Sequence, residues 1–180
     1  MSQVNRNAII ISLGGVTAAS LGCYGNGWIE TPNLDRLAAD GFVFDHCFAD
    51  GPCPLAARQA WWTGRHQFLE TACRSGDGFT PTDHPGAPQP NLVNLLRLNG
   101  IQTTLIRVSA RSGGDSTAVD AGFAQTIEVD ASPTGAVEPI LVAAQRWLQQ
   151  AAKQAPFLLF LDCPTANDLP SSRGAGGPPA

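Results

Sequence analysis

Cys53 stands one residue before Pro54–Trp62, a stretch that reads as a helix closed by Gly64. A helix N-terminus favours anions and lowers the pKa of a thiol beside it. A thiolate nucleophile there needs a base, and His46 or His66 supplies an imidazole, although no spacing ties either to Cys53. Packing of Cys53 as a small apolar residue is the plainer alternative. Arg58 lies one helical turn beyond Pro54. A guanidinium there either grips a sulfate or phosphate through its planar fork or serves an ion pair. Arg65 follows the helix stop and suits a carboxylate partner. Gly14-Gly15 closes an apolar run. It reads as a tight turn more readily than as a phosphate cradle, since no Gly-Lys-Ser follows it. His46, His66 and His84 are unclustered, which speaks against zinc. Asp162 ends FLLFLD at a strand terminus, where a lone carboxylate reads as a cap or turn residue.

These groups need a scaffold, and the hydrophobic pattern supplies one. Ala8–Leu13 (AIIISL) is a continuous apolar run of the kind buried on both faces of a parallel sheet. Thr31-Pro32 opens a helix with Thr31 as its cap, Leu34, Leu37 and Ala38 as its stripe and Gly41 as its end. Phe42–Phe48 (FVFDHCF) alternates like a second strand. Trp61 and Trp62 are expected in the core, and Arg65–Pro90 as loop. Beyond it come a helix over Asn91–Leu98, stopped by Asn99-Gly100, a strand over Thr103–Val108, a loop over Ser109–Asp120 and a short strand over Gln125–Val129. The longest helix is expected over Glu138–Ala155, with Ile140, Leu141, Ala144, Trp147, Leu148 and Ala151 on one side. Phe157–Leu161 is a buried strand. Strands separated by helices predict an α/β fold: a mostly parallel sheet flanked by helices. Residues 1–169 are expected to form one domain, and 170–180 a disordered tail.

Composition narrows the function. The chain has 180 residues, 43% of them hydrophobic and 14% charged, with a net charge of −4. That composition suits a globular core. Without a basic run, neither nucleic acid nor an anionic membrane is an expected partner. No run reaches the ~18 apolar residues of a membrane span. The 5 cysteines show no paired spacing and read as reduced thiols. With no signal-peptide pattern at residues 1–15, the expected location is cytoplasmic.

LGCYGN (Leu21–Asn26), TPNLDRLAADG (Thr31–Gly41) and TGR (Thr63–Arg65) stand at sulfatase spacing. NLVNLLRLNGIQTTLI (Asn91–Ile106), Gly122-Phe123 and PFLLFLD (Pro156–Asp162) extend the similarity. The chain thus resembles the sulfatases of the alkaline phosphatase superfamily over about Asn7–Asp168, and the resemblance implies their fold in truncated form. It also implies a formylglycine made from Cys or Ser in Cys/Ser-x-Pro-Ser-Arg, calcium held by a paired aspartate, and basic residues around the sulfate.

This chain departs from that set. The motif position reads Pro54-Leu55-Ala56-Ala57-Arg58, with Pro54 in place of the nucleophile and only Arg58 kept. Gly14 and Gly15 replace the aspartates. Val108 and Ala110 fall where the family has lysine and histidine, and Asn167 where it has the histidine of an Asp-Pro-His loop. The expectation is a catalytically inactive sulfatase-like protein with a binding or regulatory role, carrying neither calcium nor formylglycine. Two alternatives are an ester hydrolase with an altered site using Cys53 and Arg58, and an anion-binding module in which Arg58 and Arg65 hold sulfate or phosphate weakly. A sulfatase-like sheet cut off after Phe157–Leu161 is expected to leave an open strand edge and uncovered apolar surface, and so to favour a homo-oligomer or protein partner.

Overall fold

The computed structural model describes residues 6–50, 54–66, 91–109, 122–130, 135, 137–151 and 156–164. Two compact units make up the chain, one of Met1–Gly14 with Pro90–Ala180 and the other of Gly15–Gln89.

The first unit holds the sheet. Strands β1 (Ala8–Leu13), β2 (Gln102–Val108), β3 (Gln125–Val129) and β4 (Phe157–Cys163) lie in the order β1-β4-β2-β3, all parallel. Helices α3 (Leu92–Leu98) and α4 (Val137–Ala151) belong to the same unit. Parallel strands need crossovers; α3 precedes β2 and α4 lies between β3 and β4. Asn91 caps α3, its side chain accepting from the Val93 amide at 2.8 Å. Gly100, at φ 77, takes the left-handed turn that ends it.

Strand pleating sorts the side chains onto two faces. On one face Ile106, Phe157, Leu159, Leu161 and Cys163 pack against Ile140, Ala144, Trp147 and Ala151 of α4. The Trp147 ring meets Phe157 edge-on at 5.0 Å, and its Nε1–H donates to Gln125 Oε1 at 3.1 Å. Burying each large side chain here contributes about 1.5–3 kcal/mol. Leu141 falls outside the stripe, 44% exposed, because it is one residue off the 3.6-residue period of the buried positions.

Two sequence expectations fail within the sheet. Among the described residues β1 is an edge strand with β4 as its one neighbour, and Ile9, Ile10 and Ile11 stay 39–52% exposed instead of buried on both faces. Asp162 is no turn residue: it lies inside β4.

The second unit carries α1 (Pro32–Asp40) and α2 (Pro54–Thr63). Two short 3₁₀ turns, Ala18–Ser20 and Gly22–Tyr24, precede α1. Thr31 holds the cap position without capping the helix through its side chain. Its hydroxyl instead accepts from the Gly22 amide at 2.9 Å and donates to Asp35 Oδ1 at 3.1 Å. The same carboxylate oxygen accepts from the Cys23 amide at 2.7 Å. Asn26 Oδ1 accepts from the Trp28 and Ile29 amides, and Gly25 takes φ 93. LGCYGN and TPNLD are thus tied to each other by hydrogen bonds.

Phe42–Phe48 forms no strand; a turn at Asp45-His46 interrupts it, and Phe42, Phe44 and Phe48 are 96%, 71% and 85% exposed. Alternation makes a strand only where a neighbour offers a ladder. Leu37 also leaves the expected stripe, at 67% exposed. Trp62 is buried as expected, whereas Trp61, one residue round the helix, is 47% exposed.

Candidate functional site

Ligands of open α/β sheets bind beyond the carboxyl ends of the strands. The last-but-one residues of β1, β4, β2 and β3 are Ser12, Asp162, Arg107 and Glu128. Their registers run Ser12↔Asp162, Asp162↔Arg107 and Arg107↔Glu128. Four polar residues therefore form one row across the sheet, on the face opposite α4. Arg107 is buried, at 8% exposure. Its Nε–H and Nη2–H both donate to Glu128 Oε1, at 3.1 and 2.6 Å. Ser109 Oγ–H reaches Glu128 Oε2 at 3.5 Å.

Just beyond the row, the Gly14 amide donates to the Cys163 carbonyl at 2.8 Å, and Gly15 turns with φ 64. Both glycines therefore serve the exit of β1 through backbone geometry. Val108 packs against the apolar cluster under α4. Burial, then the charge of Asp162, push the Cys163 thiol up from its ordinary pKa. Cys163 is therefore a neutral, packed thiol.

In the second unit, α2 begins at Pro54 and places Ala57 and Arg58 in buried positions, at 7% and 8% exposure. Such burial removes the surface location from the readings of Arg58. Gly64 takes φ 66 at the helix end, as its place in the sequence predicts, and Arg65 beyond it is exposed. His66 Nδ1–H donates to Asp50 Oδ1, which fixes the ring's tautomer. Cys53, Ala110, Asn167 and His84 lie outside the described residues. Among the described residues, no three His, Cys, Asp or Glu side chains gather in a way that could hold a metal ion.

Sequence reasoning missed the row. An arginine between Ile106 and Val108 of one strand, with a carboxylate at the corresponding position of two other strands, was the available signal. Reading it requires the strand order, which a single sequence does not display.

The fold is similar to that of a solved member of the alkaline phosphatase superfamily and of other solved structures. Similar structures include a superfamily protein from Vibrio parahaemolyticus, at TM-score 0.62 and 20% identity, covering 96% of this chain and 43% of that one. Another is a protein solved with its substrate D-glucosamine-2-N,6-O-disulfate, at TM-score 0.64 and 22% identity, covering 88% of this chain and 34% of that one. The sulfatase family model matches residues 6–162, and the chain belongs to the sulfatase family. Human arylsulfatase D is 39% identical over 62 residues, 34% of this chain and 10% of its own length. The chain thus spans well under half the length of these relatives.

Proposed function

We propose that this chain is a sulfatase-family protein without the family's hydrolytic chemistry, and that it acts by binding. The observation that carries this reading is Pro54 at the first position of α2, where the resemblance puts the nucleophile. A proline side chain has neither thiol nor hydroxyl to convert to formylglycine, so that group does not fit. Calcium does not fit the end of β1 either. It takes about 6–8 oxygen ligands, and Gly14 and Gly15 bring no side-chain oxygen. Arg58, the one residue of the motif that is kept, supports weak sulfate or phosphate binding as the remaining property of α2. The competing reading, hydrolysis through Cys53 and Arg58, makes the opposite forecast in one assay.

The test is intact-mass spectrometry after co-expression with a formylglycine-generating enzyme, followed by turnover of an aryl sulfate and an aryl phosphate. Unmodified Cys53 and turnover at the uncatalysed rate are expected. An aldehyde at Cys53, or turnover that disappears in Cys53→Ala, overturns the reading.

A further inference from the structure

We propose that Arg107 is a built-in cation, performing at the carboxyl ends of β2, β3 and β4 the charge balancing that a divalent metal would otherwise supply. The inference deepens the metal-free reading above and rests on it.

Three observations support it. First, Arg107 occupies the central position of the charged row, with Asp162 on the strand to one side and Glu128 on the strand to the other. Adjacent strands lie about 4.8 Å apart, so both carboxylates belong to the immediate surroundings of one guanidinium. Second, Arg107 is 8% exposed, in a strand whose Thr103, Thr104, Leu105 and Ile106 are fully buried. Burying a guanidinium costs several kcal/mol unless charge and hydrogen bonds compensate it. A position kept under that penalty has an electrostatic task that a leucine would not perform. Third, the compensation is geometric: Nε–H and Nη2–H converge on a single oxygen of Glu128. Arginine suits this place because its charge is permanent and weakly hydrated.

Two carboxylates and one guanidinium leave the row with a residual negative charge. That balance disfavours an incoming anion, and the guanidinium between the carboxylates repels an incoming metal. Deleting the positive charge should convert the row into a place that needs a cation.

The test compares thermal melting of the whole chain in millimolar calcium chloride with melting in sodium chloride of matched ionic strength. The wild-type protein is expected to melt equally in both. Arg107→Gln is expected to melt lower in sodium and to recover about 2–4 °C in calcium. Arg107→Lys keeps the charge and should stay silent to calcium. The double variant Arg107→Gln with Glu128→Gln should lose the calcium response. A folded Arg107→Gln that ignores calcium, beside a silent wild type, overturns the inference and leaves the metal-free reading standing. Calcium stabilisation of the wild type overturns both. Should Arg107→Gln fail to fold, folding regained in the double variant supports the charge role. Failure of both variants overturns it in favour of packing.

Discussion

Gly22→Ala tests whether the best-matching family motif is structural. A Cβ built on Gly22 would lie 2.5 Å from Asp35 Oδ2 and 2.7 Å from Oδ1. No backbone strain arises, since Gly22 sits in a short 3₁₀ turn. The Asp35 carboxylate must therefore swing away, giving up the Cys23 amide at 2.7 Å and the Thr31 hydroxyl at 3.1 Å. Hydrogen bonds to a charged group contribute about 1.5–3 kcal/mol each when enclosed. These are only partly buried, and the freed carboxylate regains water, so a combined loss of about 2–3 kcal/mol is expected. Stiffening the unfolded chain returns about 0.4–1 kcal/mol. The net cost is about 2 kcal/mol, or roughly 4–8 °C in melting temperature for a chain of this size. Asp35→Ala should cost a similar amount. In the Asp35→Ala background the alanine at position 22 meets no carboxylate, and Gly22→Ala should then be neutral or slightly stabilising. Urea denaturation of the four proteins closes this cycle. An equal cost of Gly22→Ala in both backgrounds would refute the reasoning, because the clash would then not be with Asp35.

Three further outcomes are expected. Trp147→Phe removes the bond to Gln125 and part of the ring against Phe157, for a loss of about 2–3 kcal/mol by urea denaturation; a loss under about 0.5 kcal/mol would mean that the indole adds nothing beyond bulk. Cys163, with its folded pKa raised, contributes stability present below the ordinary thiol range of about 8.5 and lost as pH rises through the folded value. Between neutral and alkaline pH the wild type should therefore lose more stability than Cys163→Ala, and parallel pH curves would contradict this. Light scattering across a dilution series should show self-association, given half-exposed isoleucines along the edge strand β1; a monomer at every concentration would count against it.

Much of the architecture was legible because short-range chemistry determines it. Pro32 and Gly41 bound α1, Gly64 closes α2, Asn91 and Gly100 bracket α3, and the stretches of β1, β2, β3 and β4 read as strands. What escaped depends on long-range pairing. AIIISL and FLLFL look alike as text, yet one is an edge and the other is flanked on both sides. FVFDHCF has the composition of a strand and lacks one in the structure. The readings of Gly14, Gly15 and Pro54 come from motif spacing alone. The charged row could not be read that way, because Ser12, Arg107, Glu128 and Asp162 are gathered only by the strand order.

The order of strands also sets a timetable for synthesis. Among the described residues β1 pairs only with β4, and Ala8 meets Leu158 across 150 steps of chain; the Phe157 amide likewise donates to Asn7 Oδ1. At about 5–20 residues per second a ribosome needs roughly 8–30 s to cover that distance. Throughout that interval the isoleucines of β1 have emerged without their ladder, while Gly15–Gln89 already has within itself all the sequence of its own compact unit. The second unit can therefore condense before the sheet, whose first strand alone precedes it in the chain, is complete. Among the described strand pairs, β1–β4 closes the longest loop and so carries the largest loop-closure entropy. An apolar strand kept waiting that long is a natural target for chaperones, and the same delay favours misassembly between neighbouring nascent chains.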